Sequence, residues 1–268
     1  MQNRDEQEIA GYRDALNIIH ESFDAIPITR NFILQLHKIM YSHMNNPLAG
    51  QTKNVQNYIS ARCPDGHTEI LFTPLAPFET QEALDRICEE YNHVIGNYDV
   101  EPLIAIPVFI HDFLCIHPFS DGNGRMSRLL TTLLLYRNGF TVGRYISLEA
   151  KIAKNKDLYY DTLNFSQHGW HEGNEDVVPF IKYLLGTILA AYRDFEDRFS
   201  LVEEKLPALE TVRKASLQKI GRFTKQDIRE LCPSLSVSSV EGALRKMVAE
   251  DEIKREGSGK NTFYYRIK

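Results

Sequence analysis

Residues 117–128, HPFSDGNGRMSR, bring together side chains whose types and spacing suit phosphate chemistry. Gly122, Asn123 and Gly124 stand immediately before a stretch of helical pattern. Two glycines permit a tight turn that points consecutive backbone N–H groups into one concavity, and a helix start adds roughly half a positive charge. Such a cradle takes an anion, phosphate above all. Arg125 and Arg128 are three residues apart on the new helix, so both reach the same side. Two planar guanidinium forks fit a di- or triphosphate better than a carboxylate. Asp121 puts a hard oxygen ligand beside those phosphates, where Mg²⁺ would sit. His117, on the other lip, can take a proton from an incoming hydroxyl. Singly, each residue has an ordinary structural use: a His before Pro caps or packs a helix end, and Asp-Gly-Asn-Gly makes a turn. Their joint spacing is what reads as nucleotide cradle, magnesium ligand and general base.

The elements that must hold this loop are helices. EPLIAIPVFIHDFLCIHPF is apolar on nearly all sides, which predicts a helix buried at the centre of a domain. It ends at His117-Pro118, with Pro107 in its first turns or kinking it. RMSRLLTTLLLYRNG predicts a helix from Arg125 that stops at Gly139. Upstream, Ile9, Tyr12, Leu16 and Ile19 recur at helical spacing, Ile26-Pro27 breaks that helix, and Thr29 caps the next, which carries Phe32, Ile33, Leu36 and Met40. Helices are also expected over about 80–96, 148–166 and 176–198. NYISARCPDGHTEILFTPLAP differs from its surroundings: Pro64-Asp65-Gly66 between two short apolar runs predicts a β-hairpin. The pattern changes again after about residue 198. FTKQDIREL follows a Thr224 cap, VSSVEGALRKMVAEDE aligns Val240, Leu244 and Met247, and IKREGSGKNTFYYRI is a hairpin tipped by Gly-Ser-Gly-Lys-Asn. Helix, turn, helix, β-wing is the order of a winged helix-turn-helix. The fold class expected is mainly α: a helical bundle over 1–198 with a small β-hairpin flap, and a winged helix over 199–268.

Composition narrows the setting. The chain has 268 residues, 25% charged and 43% hydrophobic, which excludes bulk disorder and collagen-like repeats. Cys63, Cys88, Cys115 and Cys232 are widely spaced with no C-x-x-C pair, which argues against a disulfide framework or a structural zinc site and fits a reducing cytosol. No signal peptide or membrane span is expected, so the localisation read here is cytoplasmic. The net charge of −5 hides an asymmetry: residues 205–268 carry 14 Lys and Arg against 8 Asp and Glu, net +6, which leaves −11 for 1–204.

The loop HPFSDGNGRMSR closely resembles the Fic-domain signature, H-P-F-x-D/E-G-N-G-R-x-x-R. LAGQTKNVQNYIS is similar to the family's approach to its β-hairpin flap, ISLEAKIAKNKDLYYDTL to its segment near the nucleotide base, and NEDVVPFIKYLL to the helix that follows. The resemblance covers about residues 8–198. It implies a Fic-type helical bundle and protein AMPylation: transfer of AMP from ATP to a Ser, Thr or Tyr hydroxyl of a target protein, possibly this chain itself among the targets, with release of pyrophosphate. By position, it makes His117 the general base, Asp121 the Mg²⁺ ligand, Gly122, Asn123 and Gly124 the anion cradle, and Arg125 and Arg128 the phosphate ligands. Phe119 would anchor the loop. Ile70, Leu71, Phe72 and Thr73 either dock an extended target segment by strand addition or form a hairpin packed on the domain. Tyr159 and Tyr160 either stack near adenine or pack in the core. Gly124 stands where a kinase-like branch has Lys, which favours nucleotidyl transfer.

One departure concerns restraint. Many relatives carry an inhibitory S/T-x-x-x-E-G/N helix, and none of Glu172, Glu241 or Glu256 has Ser or Thr four residues before it. The expectation is an unrestrained enzyme, a truncated chain, or inhibition by another protein. His111-Asp112 lacks the further ligands of an HD-type phosphohydrolase, and GSGKN lacks P-loop spacing. The rival of a different class is a DNA-binding regulator acting through residues 222–266. There Arg245, Lys246, Lys254, Arg255 and Lys260 would meet phosphates, against Glu241, Glu250, Asp251 and Glu252 on the same region. A winged helix used for packing or homodimerisation, and a Fic-type transfer of another nucleotide, stay open beside these.

Overall fold

A buried helix, α4 (Pro102–Ile116), organises the first part of the chain. It begins with a proline at its first turn, where a missing N–H costs no hydrogen bond. Pro107 lies inside it, and Ile106, Phe109, Ile110, Phe113 and Leu114 are all buried. The computed structural model describes residues 4–63, 65–203, 207–217, 219, 221–257, 259 and 262–267. Pro64 of the first hairpin, Ser258, Lys260 and Asn261 of the second, and Lys205 and Lys268 lie outside them. Two compact units divide the chain, Met1–Asp194 and Phe195–Lys268.

In the first unit, α3 (Thr80–Gly96) and α5 (Asn123–Arg137) pack against α4. α5 presents Met126, Leu129, Leu130 and Leu133, each at most 1% exposed. Burying such a side chain stabilises the fold by about 1.5–3 kcal/mol, so the site loop between α4 and α5 is clamped by two anchored helices. α2 (Arg30–Met40) starts at Thr29, whose side chain accepts from the Phe32 N–H as the sequence predicts. α1 (Arg4–Ser22) packs on α2 and α5. Its buried residues are Gly11, Ala15 and Ile19, whereas Ile9 is exposed. The reason is close approach: a Cβ on Gly11 would fall 2.1 Å from the Met40 carbonyl oxygen, so α1 crosses α2 on small residues.

The flap is a two-stranded antiparallel hairpin, β1 (Ile59–Arg62) and β2 (Thr68–Phe72). The single helix expected over 148–166 is two, α6 (Leu148–Lys154) and α7 (Lys156–Ser166), broken at Asn155. α8 (Val178–Glu203) closes the series. Among the described residues no helix is long and apolar enough to cross a membrane.

The second unit orders α9 (Ala208–Leu217), α10 (Lys225–Leu231), α11 (Val237–Ala249), β3 (Ile253–Glu256) and β4 (Phe263–Arg266). Thr224 forms a full capping box with Asp227. Val240, Leu244 and Met247 of α11 meet Phe223, Ile228 and Ile253 in one core, and Val212 of α9, a helix not anticipated, joins them.

Candidate active site

α4 ends because His117 adopts a left-handed conformation, φ 50°, that its L side chain enters only at a cost. The turn is held from both sides. Lys53, buried, donates from Nζ to the Ile116 carbonyl at 3.1 Å and to Asn57 Oδ1 at 2.8 Å, and its backbone N–H reaches the Pro118 carbonyl at 2.8 Å. A lysine at a helix C-terminus satisfies an orphan carbonyl and meets the negative end of the helix dipole. Burial pushes its amine down to about 8. Asn57 Nδ2 donates to the carbonyls of His117 and Phe119 at 3.3 and 3.0 Å.

This fixes the chemistry of His117. Its Nδ1 lies 3.1 Å from the Leu114 carbonyl, which can only accept, so Nδ1 carries the hydrogen and Nε2 keeps its lone pair. Burial, assisted by the nearby Lys53 charge, lowers the imidazole to about 4. At neutral pH the ring is an uncharged base with its accepting nitrogen free of that hydrogen bond.

The cradle follows. Gly122 has φ 86°, and a Cβ there would lie 2.7 Å from Met40 Cε and 2.9 Å from Tyr41 Oη. Gly124 is not strained, and its nearest neighbour to an added Cβ is Arg128 Nη1 at 3.6 Å. α5 starts at Asn123, two residues before the expected Arg125, because Asn123 staples the loop. Its Oδ1 accepts from the Phe119 N–H at 2.9 Å and its Nδ2 donates to the Phe119 carbonyl at 2.6 Å. The Asn123 side chain is buried and committed, so only its backbone N–H is left for an anion.

Asp121 is half-exposed. Its Oδ2 accepts from Tyr41 Oη at 2.7 Å and Arg125 Nη2 at 3.3 Å, and its Oδ1 from the Gly122 N–H at 2.7 Å. Partial burial works to raise the carboxyl, but these hydrogen bonds and the Arg125 charge outweigh it and hold it below the usual range. An ionised carboxylate offers about four acceptor positions and three are used, so the group fits one hard-cation bond, with phosphate oxygens or water completing the shell.

His37 positions this aspartate. Its ring is buried, stacked on Phe119 at 3.8 Å, receives the Gly50 N–H on Nδ1 at 2.9 Å, and donates from Nε2 to the Asp121 carbonyl at 3.1 Å. Burial lowers it to about 4, against the opposing hydrogen bond to Asp121 and with help from Arg125.

Arg125 and Arg128 line a cavity of about 350 Å³ with Glu8, Tyr12 and Glu149. Arg125 Nη1 pairs with Glu8 Oε2 at 3.0 Å and its Nη2 donates to Tyr41 Oη at 2.8 Å. Tyr12 Oη donates to Glu149 Oε1 at 2.7 Å and also meets Arg128.

The structure thus joins Asp121, Gly122 and Arg125 by hydrogen bonds, sets Arg125 and Arg128 in one cavity with Gly124 beside Arg128, and ties His117 and Phe119 into the same loop through Asn57 and Asn123. It does not place Tyr159 there as a stacking platform. Tyr159 is buried against Tyr183 and Phe180, and burial raises its phenol to about 12. Tyr160 is exposed, with Lys156 Nζ 5.7 Å from its ring. Of the flap residues, Ile70, Leu71 and Thr73 are exposed, whereas Phe72 is buried and stacks on His171 at 5.4 Å. Phe72 is therefore an anchor. Sequence reasoning missed Glu8, His37, Tyr41, Lys53 and Asn57. The only legible signal among them is His37, which sits one turn after Ile33 and beside Leu36 on the apolar face of α2.

Residues 27–135 match the Fic/DOC family. The chain is 26% identical over 186 residues to a protein adenylyltransferase, fic-1, of Caenorhabditis elegans, covering 68% of this chain and 32% of that protein. It is 27% identical over 184 residues to the protein adenylyltransferase Fic of Nematostella vectensis, covering 66% and 36%. The chain thus spans about a third of the length of these relatives. A Fic family protein from Desulfovibrio desulfuricans G20 superposes with a TM-score of 0.58 at 19% identity, over 99% of this chain and 76% of that one. Fic-1 of C. elegans superposes at 0.57 and 22%, over 75% and 54%. These structures share the fold, mainly helical with small strand pairs.

Proposed function

We propose that this chain is a protein adenylyltransferase, moving AMP from ATP to a Ser, Thr or Tyr hydroxyl of a target protein. The observation that carries the reading is the His117 tautomer. With Nδ1–H spent on the Leu114 carbonyl, Nε2 is the acceptor that an incoming hydroxyl requires. The hydroxyl oxygen bonds to the α-phosphorus, its proton passes to Nε2, and the bond from the α-phosphorus to the bridging oxygen breaks, releasing pyrophosphate.

The protein's part is positioning and charge neutralisation. The N–H groups of Asn123 and Gly124 at the α5 N-terminus receive phosphate oxygens, while the Gly122 N–H holds Asp121. Arg125 and Arg128 supply positive charge, and engaging Arg125 fully requires it to exchange Glu8 for phosphate. Asp121 would hold Mg²⁺, which, when bound, screens the phosphates. The exposed edge of the flap at Ile70, Leu71 and Thr73 would carry the target segment by strand addition, with Phe72 securing the flap to the body. The resemblance of the first unit to named adenylyltransferases supports the same reading.

We read the second unit as a winged helix. Arg213 pairs with Glu250, Glu252 and Glu210, and Lys225 with Glu241. Part of its basic excess is therefore neutralised within the unit, and no observation favours DNA over a packing role.

The test is incubation of the full chain and a cell lysate with labelled ATP and Mg²⁺. Label on protein, abolished by His117→Ala, is the expected result. No label, or equal label with His117→Ala, refutes the reading. Mass spectrometry after incubation with each nucleoside triphosphate identifies the donor and the acceptor residue.

A further inference from the structure

Beside the flap lies a cavity of about 510 Å³ that the transfer chemistry does not use. α3 contributes Glu82 and Glu90 to its wall, Glu79 stands at that helix's start, α4 contributes Asp112, and Glu175 closes it. Five carboxylates thus face one guanidinium, Arg86. The remaining wall is apolar, from Leu75, Ile87 and the indole of Trp170. Trp170 Nε1 donates to Asp112 Oδ1 at 2.8 Å, which fixes the ring in the wall. Glu175 Oε2 is buried without a hydrogen-bond partner in the structure, a state that is unfavourable unless a donor arrives.

Carboxylates around an apolar, aromatic wall suit a long cationic side chain: a methylene stem against Leu75 and Ile87, a charged head among the acids, an indole face for cation–π attraction. The cavity also lies where the flap ends. His171, on its rim, stacks on Phe72 and hydrogen-bonds the Thr73 carbonyl at 2.9 Å. A segment added along the flap edge therefore runs past the cavity mouth.

We propose that this cavity is a specificity pocket for a Lys or Arg side chain of the target protein, close in sequence to the acceptor hydroxyl. Asp112 and His117 are five residues apart near the same end of α4, about 7.5 Å along the helix axis and roughly 140° around it. An extended segment advances about 3.3 Å per residue, so the basic residue stands within about five positions of the modified one. This placement rests on the adenylyl-transfer reading, whereas the pocket's preference for a cation does not.

Trp170 is the one tryptophan of the chain, so its fluorescence reports on the cavity directly. The full chain, without nucleotide, is titrated with an acetylated, amidated β-forming hexapeptide carrying one arginine, and with the same peptide carrying citrulline, its uncharged isostere. The arginine peptide is expected to shift the emission saturably, and the citrulline peptide to bind about tenfold more weakly. Glu82→Gln/Glu90→Gln, both exposed positions, should erase that difference with the far-UV spectrum and Tm unchanged. Equal titrations for the two peptides, or a charge preference that survives in the double variant, overturn the pocket. Spermidine binding as tightly as the arginine peptide overturns its assignment to a protein side chain. In a second arm, acceptor sites labelled in a lysate are mapped. Enrichment of Lys or Arg within about five positions of the acceptor supports the proposal, and its absence refutes the placement. A charge-dependent tryptophan response with no label transferred to any protein keeps the pocket and removes the transfer reading, so the two failures are distinguishable.

Discussion

Asn123 separates a stapled cradle from one whose side chains grip phosphate. In Asn123→Ala the Phe119 N–H loses its side-chain partner, Oδ1 at 2.9 Å, while the Phe119 carbonyl keeps Asn57 Nδ2 at 3.0 Å. One buried donor is left unmade, at about 1–3 kcal/mol. A lost hydrogen bond at the carbonyl adds about 1 kcal/mol. A destabilisation of about 2–4 kcal/mol results, and in a unit of this size each kcal/mol moves Tm by roughly 2–4 °C. Thermal denaturation should therefore show a fall of about 4–16 °C, with ATP affinity falling in parallel because the loop no longer presents its N–H groups together. Asn123→Asp keeps the acceptor for the Phe119 N–H but sets a carboxylate oxygen against the Phe119 carbonyl, so it should lose stability as well. The decisive comparison is Tm against ATP affinity by calorimetry. Asn123→Ala with an unchanged Tm and abolished ATP binding would mean that the side chain contacts the nucleotide, and the staple argument would be wrong.

Gly122→Ala should cost more than Gly124→Ala in both Tm and ATP affinity, because only Gly122 combines positive φ with neighbours under 3 Å from an added Cβ; equal losses would contradict the geometry. The rate of AMP transfer should be flat on its base limb from pH 6 to 8 and fall about tenfold per unit only below the His117 value of about 4, measured on short incubations. Stability has its own pH dependence. His37 and His117 titrate near 4 when folded and near 6.5 when unfolded. The unfolded chain therefore binds more protons between those values, and their contribution is full above pH 6.5 and lost as pH falls toward 4. Tm measured from pH 7.5 to 4.5 should fall less steeply in His37→Asn than in the unaltered chain. Glu8→Gln should tighten ATP binding by up to about fivefold, the scale of a partly exposed ion pair, since it frees Arg125 of Glu8; weaker binding would show that Glu8 orients the arginine for its ligand.

What was legible in the sequence was local. The loop 117–128 could be read because its chemistry is written in consecutive residues, and α2, α4 and the flap because hydrophobic period, a Thr cap and a Pro-Asp-Gly turn are short-range signals. The break at Asn155 was not legible, because the apolar pattern runs through it and only packing distinguishes one helix from two. For Phe72 and Tyr159 the sequence leaves docking or stacking and core packing both open; their aromatic bulk is buried, and alternation along the chain does not say which face of a short element meets the body.

The residues that escaped detection act across long separations: Lys53 on Ile116, His37 and Tyr41 on Asp121, Glu8 on Arg125. Each is a polar residue on a different element, and none stands in a recognisable spacing with its partner. Yet they determine what the motif can do. Without the Leu114 carbonyl, His117 would not have a fixed tautomer, and without Lys53 the Ile116 carbonyl at the end of α4 would lose its cationic donor. A motif supplies reactive groups, and the surrounding helices determine their protonation and direction. The same reasoning separates the two acidic clusters. Glu8 and Asp121 sit against Arg125 and are held in ion pairs, whereas the carboxylates around Trp170 outnumber the single Arg86 among them. That unbalanced charge is where a cation from outside the chain has most to gain.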